Sequence, residues 1–146
     1  MNDISREWKR DGYLVREDRA LLDVDMIWCF LRGSYWAPNI SRAAVQRSID
    51  RSFPYGLYWA SQQIGFGRVV SDLTTFAYLA DVFVLDDFRG KGLGRWLIEV
   101  ILEHPDFTEV RRWCLSTRDA QGLYAKFGFT PIEDPSTFME RKGRIR

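Results

Sequence analysis

The sequence predicts an α/β fold, with elements in the order β-α-α-β-β-β-α-β-α-β-β within a single domain, residues 1–146. Three observations carry this. The run Phe76 to Leu85 is apolar almost throughout, as in a strand covered on both faces. Leu93, Leu97, Val100 and Ile101 then recur at i, i+4, i+7 and i+8, which is the period of an amphipathic helix. Between them stands Arg89-Gly90-Lys91-Gly92-Leu93-Gly94, a glycine-rich passage from strand to helix.

The remaining elements follow from local signals. Residues Met1 to Gly12 are polar and are expected to be loose at the end. Tyr13 to Arg16 starts a strand, followed by the turn-like Glu17-Asp18-Arg19. Asp23 or Asp25 caps a helix through Met26, Ile27, Phe30 and Leu31, which ends at Gly33. After the loop Ser34 to Ile40, Ser41 caps a second helix that uses Ala44, Val45 and Ile49. Strands are expected at Gly56–Gln62 and Ile64–Val70, turning around Gln62-Gln63. Pro105 ends the helix after the glycine passage, and Val110–Ser116 forms the next strand. A helix around Tyr124 follows, then short strands near Phe129-Thr130 and at Thr137–Glu140.

Composition excludes several classes. A chain of 146 residues, 46% hydrophobic, can bury a core without metal or disulfide staples. Its formal charge is +1, from 21 basic and 20 acidic residues, so no strong field points to nucleic acid or a membrane surface. The basic ending Arg141 to Arg146 reads as a solvated tail. No apolar stretch approaches the ~20 residues of a membrane span, and no signal peptide is visible, which predicts a cytoplasmic protein. Cys29 and Cys114 both lie in apolar sequence and are expected to be buried free thiols. The single histidine, His104, has no metal-ligand spacing around it, so no metal site is expected and a histidine-based hydrolase is disfavoured.

The glycine passage is suited to phosphate. Glycine reaches dihedrals at which successive N–H groups converge, and the following helix adds unpaired donors and a positive dipole end. Arg89 and Lys91 bring charge to the rim. A Walker loop would need Lys-Ser or Lys-Thr after its last glycine, whereas Arg95-Trp96 follows Gly94. The dinucleotide fingerprint G-x-G-x-x-G fails because its third glycine falls at position 94 instead of 95. A second segment, Ser116 to Phe129, follows the strand-like Val110 to Leu115. There Asp119 is a plausible helix cap, Leu123, Tyr124 and Phe127 lie on adjacent helix faces, and Gly128 suits the left-handed position after the helix.

Arg-Gly-x-Gly-x-Gly after a strand, followed in order by a tyrosine-bearing helix ending in Gly-Phe, resembles the GNAT N-acetyltransferase superfamily, as a small stand-alone bacterial-type member. The resemblance covers roughly Leu57 to Phe129. It implies a mixed, mostly antiparallel central sheet whose splayed strands hold acetyl-CoA as co-substrate. It further implies an acyltransferase that moves the acetyl group directly to a primary amine of a small molecule or peptide, as a monomer or homodimer. The alternative is a non-catalytic acyl-CoA-binding sensor or partner module.

By resemblance, the backbone of Val82 and Val84 pairs with the pantetheine arm. Arg89, Gly90, Lys91, Gly92, Leu93, Gly94 and Arg95 surround the pyrophosphate, and Asp119 and Tyr124 complete the cofactor side. Tyr124 is the candidate general acid for the departing thiolate, or else a donor that only orients the sulfur. Relatives carry a glutamate where Ala80 stands here, with Asp81 beside it. Strand alternation places Ala80, Val82 and Val84 on one face, with Asp81 and Phe83 on the other. Asp81 therefore reaches the active site as a base only if a bulge rotates the strand; otherwise it is a buried carboxylate needing a partner. The acceptor pocket is expected around Tyr35 and Trp36. Aromatic rings there favour an amine with an apolar or aromatic body, or a cation held on ring faces.

Overall fold

The computed structural model describes residues 5–144. Residues 1–4 of the expected loose N-terminus and 145–146 of the expected tail lie outside the described residues. The chain forms two compact units, one through Ser116 and one from Thr117 onward.

The first unit is organised by a six-stranded sheet with its strands in sequence order: β1 (Glu7–Arg10), β2 (Tyr13–Arg16), β3 (Phe53–Trp59), β4 (Gln62–Ser71), β5 (Ala77–Val84) and β6 (Trp113–Cys114). The first four pairings are antiparallel and the last is parallel. The mixed α/β sheet expected from the sequence is present. β1 was not expected, because the first twelve residues read only as polar. Asp11 and Gly12, both at positive φ, make the two-residue turn that pairs β1 with β2. The next hairpin turns at Ala60, which adopts φ +53°, so Gln62 and Gln63 lie within β4 instead of forming the turn. Gln63 is buried, accepting from the Asp23 N–H and donating to the Gly65 carbonyl.

Helices α1 (Val24–Leu31) and α2 (Arg42–Asp50) begin at side-chain caps, with Asp23 accepting from the Met26 N–H and Ser41 from that of Ala44. Asp25 is not the cap; it pairs with Arg42 at 2.6 Å. These helices bury Ile27, Leu31, Val45 and Ile49 against Phe66 and Phe83 of the sheet. Cys29 falls two positions from both Ile27 and Leu31 and is exposed, contrary to expectation, while Cys114 is buried. Helix α3 (Leu93–Leu102) covers the other face. A Cβ built on Gly67 would lie 3.2 Å from Ile101 and 3.3 Å from Val82, so the missing side chain lets α3 approach the sheet closely.

Beyond α3, His104 is buried and structural. Its Nδ1 accepts from the Asp106 N–H, and its Nε2 lies 2.8 Å from Glu17. Arg19 donates to the carbonyls of Ile49 and Ser52 at the end of α2. Among the described residues no group of His, Cys, Asp and Glu could hold a metal ion, and no helix is long and apolar enough to cross a membrane.

The second unit contains α4 (Gln121–Ala125) and a 3-10 turn at Pro135–Thr137. Asp119 does not cap α4: the cap position is Ala120, and the Thr117 hydroxyl accepts the Ala120 N–H. Gly128 takes φ +87°, as its place after the helix requires. Neither expected final strand is present among the described residues. Pro131 and Pro135 remove ladder donors, and Asp134 draws the chain into the turn by accepting from the Ser136 N–H. The element order is therefore β-β-α-α-β-β-β-α-β-α.

A Cβ on Gly65 would meet the Phe83 carbonyl oxygen at 2.9 Å, and a backbone atom in a ladder cannot withdraw as a side chain can. Gly65→Ala is expected to cost about 1–3 kcal/mol as overpacking, read as a lower urea midpoint with an unchanged m-value.

Candidate active site

Strand β5 is where the sheet stops being regular. Phe66 pairs with Phe83 and Arg68 with Ala80, so β5 carries one residue more than β4 between those pairs. The extra residue is absorbed at Asp81, which takes φ +56°. Simple alternation is therefore broken, and the bulge on which Asp81's access depends is present. Ala80 shares the Arg68 face, while Val82 lies against Gly67 below α3. Phe83 points the other way and stacks on Phe30 of α1 at 3.8 Å and 6°. Ala80 and Val82 thus do not share one face, as alternation predicted.

The bulge turns the Asp81 carboxylate towards the loop after α1. Its Oδ1 accepts from the Trp36 indole N–H at 2.8 Å and its Oδ2 from Arg68 Nε at 2.6 Å. The Asp81 and Arg68 side chains are only 10% and 18% exposed. Both partnerships were invisible in the sequence reading, and Arg68 was missed altogether. Trp36 also packs against Phe30 and, edge-on, against Tyr35, yet remains 41% exposed. The rings thus continue the core's aromatic stack outward to the surface beside Asp81.

On its other edge, β5 pairs with β6 only through Ala77 with Trp113 and Tyr78 with Cys114. Among the described residues no strand pairs with that side from Leu79 to Val84, so the two strands part and leave an open edge. A 3-10 turn, Asp86–Phe88, then leads into the glycine passage. Gly90 and Gly92 have φ +79° and +74°, and nothing lies within 4 Å of a Cβ built on either. Gly92 occupies the cap position of α3 with no side-chain cap, so the first N–H groups of α3 are left for another acceptor. Gly94 packs beside Val84, and Leu93 is buried, fixing the helix start on β5. Arg89 braces the passage, donating from Nε to the Val84 carbonyl and pairing with Asp86 at 3.0 Å. Lys91 and Arg95 are exposed.

Asp119 and Tyr124 belong to the second unit, where the Tyr124 ring meets Phe129 edge-on at 5.9 Å.

Asp81→Ala removes both bonds, leaves Arg68 without its counter-ion and puts a Cβ residue with no polar compensation at positive φ. A loss of about 1–3 kcal/mol is expected in urea unfolding. Asp81→Asn is expected to lose less, since asparagine tolerates that backbone and keeps an acceptor for one donor.

The family profile described as acetyltransferase (GNAT) domain matches residues 54–131, the span that contains β3 to α4. A crystal structure from Xanthomonas campestris, described as a candidate acetyltransferase of the GNAT family, is 43% identical. It superposes with a TM-score of 0.88, over 92% of this chain and 96% of that one. A candidate acetyltransferase of Gibberella zeae is 31% identical, over 83% of this chain and 80% of its own length. Glucosamine-6-phosphate N-acetyltransferase of Arabidopsis thaliana shares the fold, with a TM-score of 0.63 at 16% identity over 90% of this chain and 99% of that one. The expected alternative of a binding-only module gives way to an enzyme: the chain belongs to the GNAT family of acetyltransferases and is an acyltransferase.

Proposed function

We propose that this acetyltransferase takes its acetyl group from acetyl-CoA and passes it directly to a primary amine of a small molecule or peptide in a ternary complex. The observation that carries this reading is the run of open backbone from the free edge of β5 through the glycines to the uncapped start of α3. An extended pantetheine arm matches the first part, because its amides can hydrogen-bond to Val82 and Val84 as a neighbouring strand would. A pyrophosphate matches the second, where Gly90 and Gly92 leave room for anionic oxygens against N–H donors. Lys91 and Arg95 add charge at the rim, while Arg89 acts mainly by holding the passage in shape.

Acetyl transfer forms a C–N bond and breaks a C–S bond. The amine must give up a proton and the leaving thiolate must gain one. Alignment of amine and thioester contributes most, on the scale of ~7–11 kcal/mol. Asp81 is the carboxylate of the bulge and takes the amine's proton directly or through a water. Each of its oxygens already accepts one bond and keeps a second lone pair for this purpose. Tyr124, by family resemblance, donates its phenolic proton to the departing sulfur. Trp36 and Tyr35 form the acceptor wall, which suits an amine with a flat or apolar body.

Release of free thiol from acetyl-CoA across a panel of amines tests the reaction. Failure of every amine in the panel to release thiol, despite CoA binding, would overturn it. Gly92→Val forces a branched residue to φ +74° and places its side chain in the open space, so CoA should no longer raise the melting temperature. A folded variant that binds CoA like the parent removes the loop from the site. Tyr124→Phe should lower turnover by roughly 10²–10³, with less loss at low pH where solvent supplies the proton. Acetyl-CoA affinity should hold, since the ring keeps its contact with Phe129. Full activity of this variant at neutral pH would exclude Tyr124 as the acid.

A further inference from the structure

The Asp81 side of the bulge carries donors that the acetyl-transfer reading leaves unused. Arg68 pairs with Ala80 across the ladder, and Val70 with Tyr78, so Arg68 and Tyr78 are diagonal neighbours on one face of the sheet. Such neighbours are close enough for long side chains to act on one ligand. Arg68 spends only its Nε on Asp81. Among the described residues, neither its two Nη nitrogens nor the Tyr78 hydroxyl makes a hydrogen bond. No buried side-chain nitrogen or oxygen lacks a partner, so these unbonded donors reach accessible space. The phenol of Tyr78 is held up from its ordinary pKa, first by burial and then by the Asp81 charge, and so stays a donor at neutral pH.

The charge balance points the same way. Arg68 neutralises Asp81, and the Trp36 indole N–H takes the other carboxylate oxygen. What remains on offer is a guanidinium fork and a phenol beside an aromatic wall. A second cation is poorly served there, whereas a planar or tetrahedral anion finds a matching set of donors.

We propose that the acceptor amine carries an anionic oxygen group, a carboxylate or a phosphate, and that Arg68 and Tyr78 bind it while the rings of Tyr35 and Trp36 cover its body. This rests on the reading of the site as acetyl transfer to an amine, and it narrows the amine to an amino acid or an amino phosphate ester.

Calorimetric titration of the CoA-loaded protein tests the site without requiring turnover. N-acetylphenylalanine and its amide form one matched pair of probes; O-phosphoethanolamine and ethanolamine form the second, which separates carboxylate from phosphate recognition. The anionic member of at least one pair should bind at least about tenfold more tightly, the scale of a charge-assisted hydrogen bond. Tyr78→Phe, which leaves the Arg68–Asp81 pair in place, should reduce that ratio several-fold, and Arg68→Lys should reduce it by losing the fork. Equal binding of both members in both pairs, no binding of any probe, or variants that keep the parental ratio would overturn the proposal. Amines that turn over without such a preference would sink this inference and leave acetyl transfer standing. A preserved preference with no thiol release from acetyl-CoA would do the reverse.

Discussion

A residue with a Cβ gains nothing from positive φ by itself, and Asp81 adopts it inside a strand. Left to the ladder alone, β5 would run flat, with Asp81 turned to the α3 side among apolar groups. The Arg68 guanidinium and the Trp36 indole make the bulged arrangement the favourable one by supplying both carboxylate oxygens with donors. The tie joins three segments: the loop after α1, the middle of β4 and the bulge of β5. It fixes the strand's change of direction, the place of Trp36 and the orientation of the half-buried Arg68 together. Removing either partner leaves a charge with little solvent to turn to, which is why these positions act as a unit.

The open edge of β5 depends on the same strand but on a different constraint. β6 joins it at two residues and then leaves, so the donors and acceptors beyond Tyr78 have no strand partner on that side. An unpaired edge normally invites aggregation. Here it runs into the glycine passage and the α3 start, both of which also present unmet backbone groups. The strand edge, the glycine passage and the helix start are adjacent in sequence, and in the proposed reading they act as one surface for a long ligand with amides at one end and phosphates at the other.

Legibility in the sequence tracked the distance over which each feature is determined. The strand–glycine–helix passage was readable because glycine spacing, strand and helix all lie within one short segment, and the caps at Asp23 and Ser41 were readable for the same reason. The Asp11-Gly12 turn was equally local, yet the polar character of the first twelve residues masked it. Cys29 could have been placed outside by noting that Ile27 and Leu31 already define the buried side of α1. The bulge was foreseen only as a condition, since it depends on register between β4 and β5. Arg68 carried no local mark at all: its meaning comes from a partner thirteen positions away across the ladder.

These differences divide the site into halves that follow separate rules. In the proposed reading the donor side is built from backbone, held by glycines and a helix start, and backbone groups survive wide changes in sequence. That is consistent with a fold retained at 16% identity in one relative and at 43% in another. The acceptor side is built from side chains contributed by three separated segments, with charges balanced pairwise and donors left over. On that reading, a substitution at Tyr78, which takes no part in the Asp81 tie, changes which molecule fits while the Arg68–Asp81 pair stays in place. Family membership therefore fixes the class of reaction, acyl transfer, and in the reading proposed above the choice of acceptor lies with the few residues around Asp81.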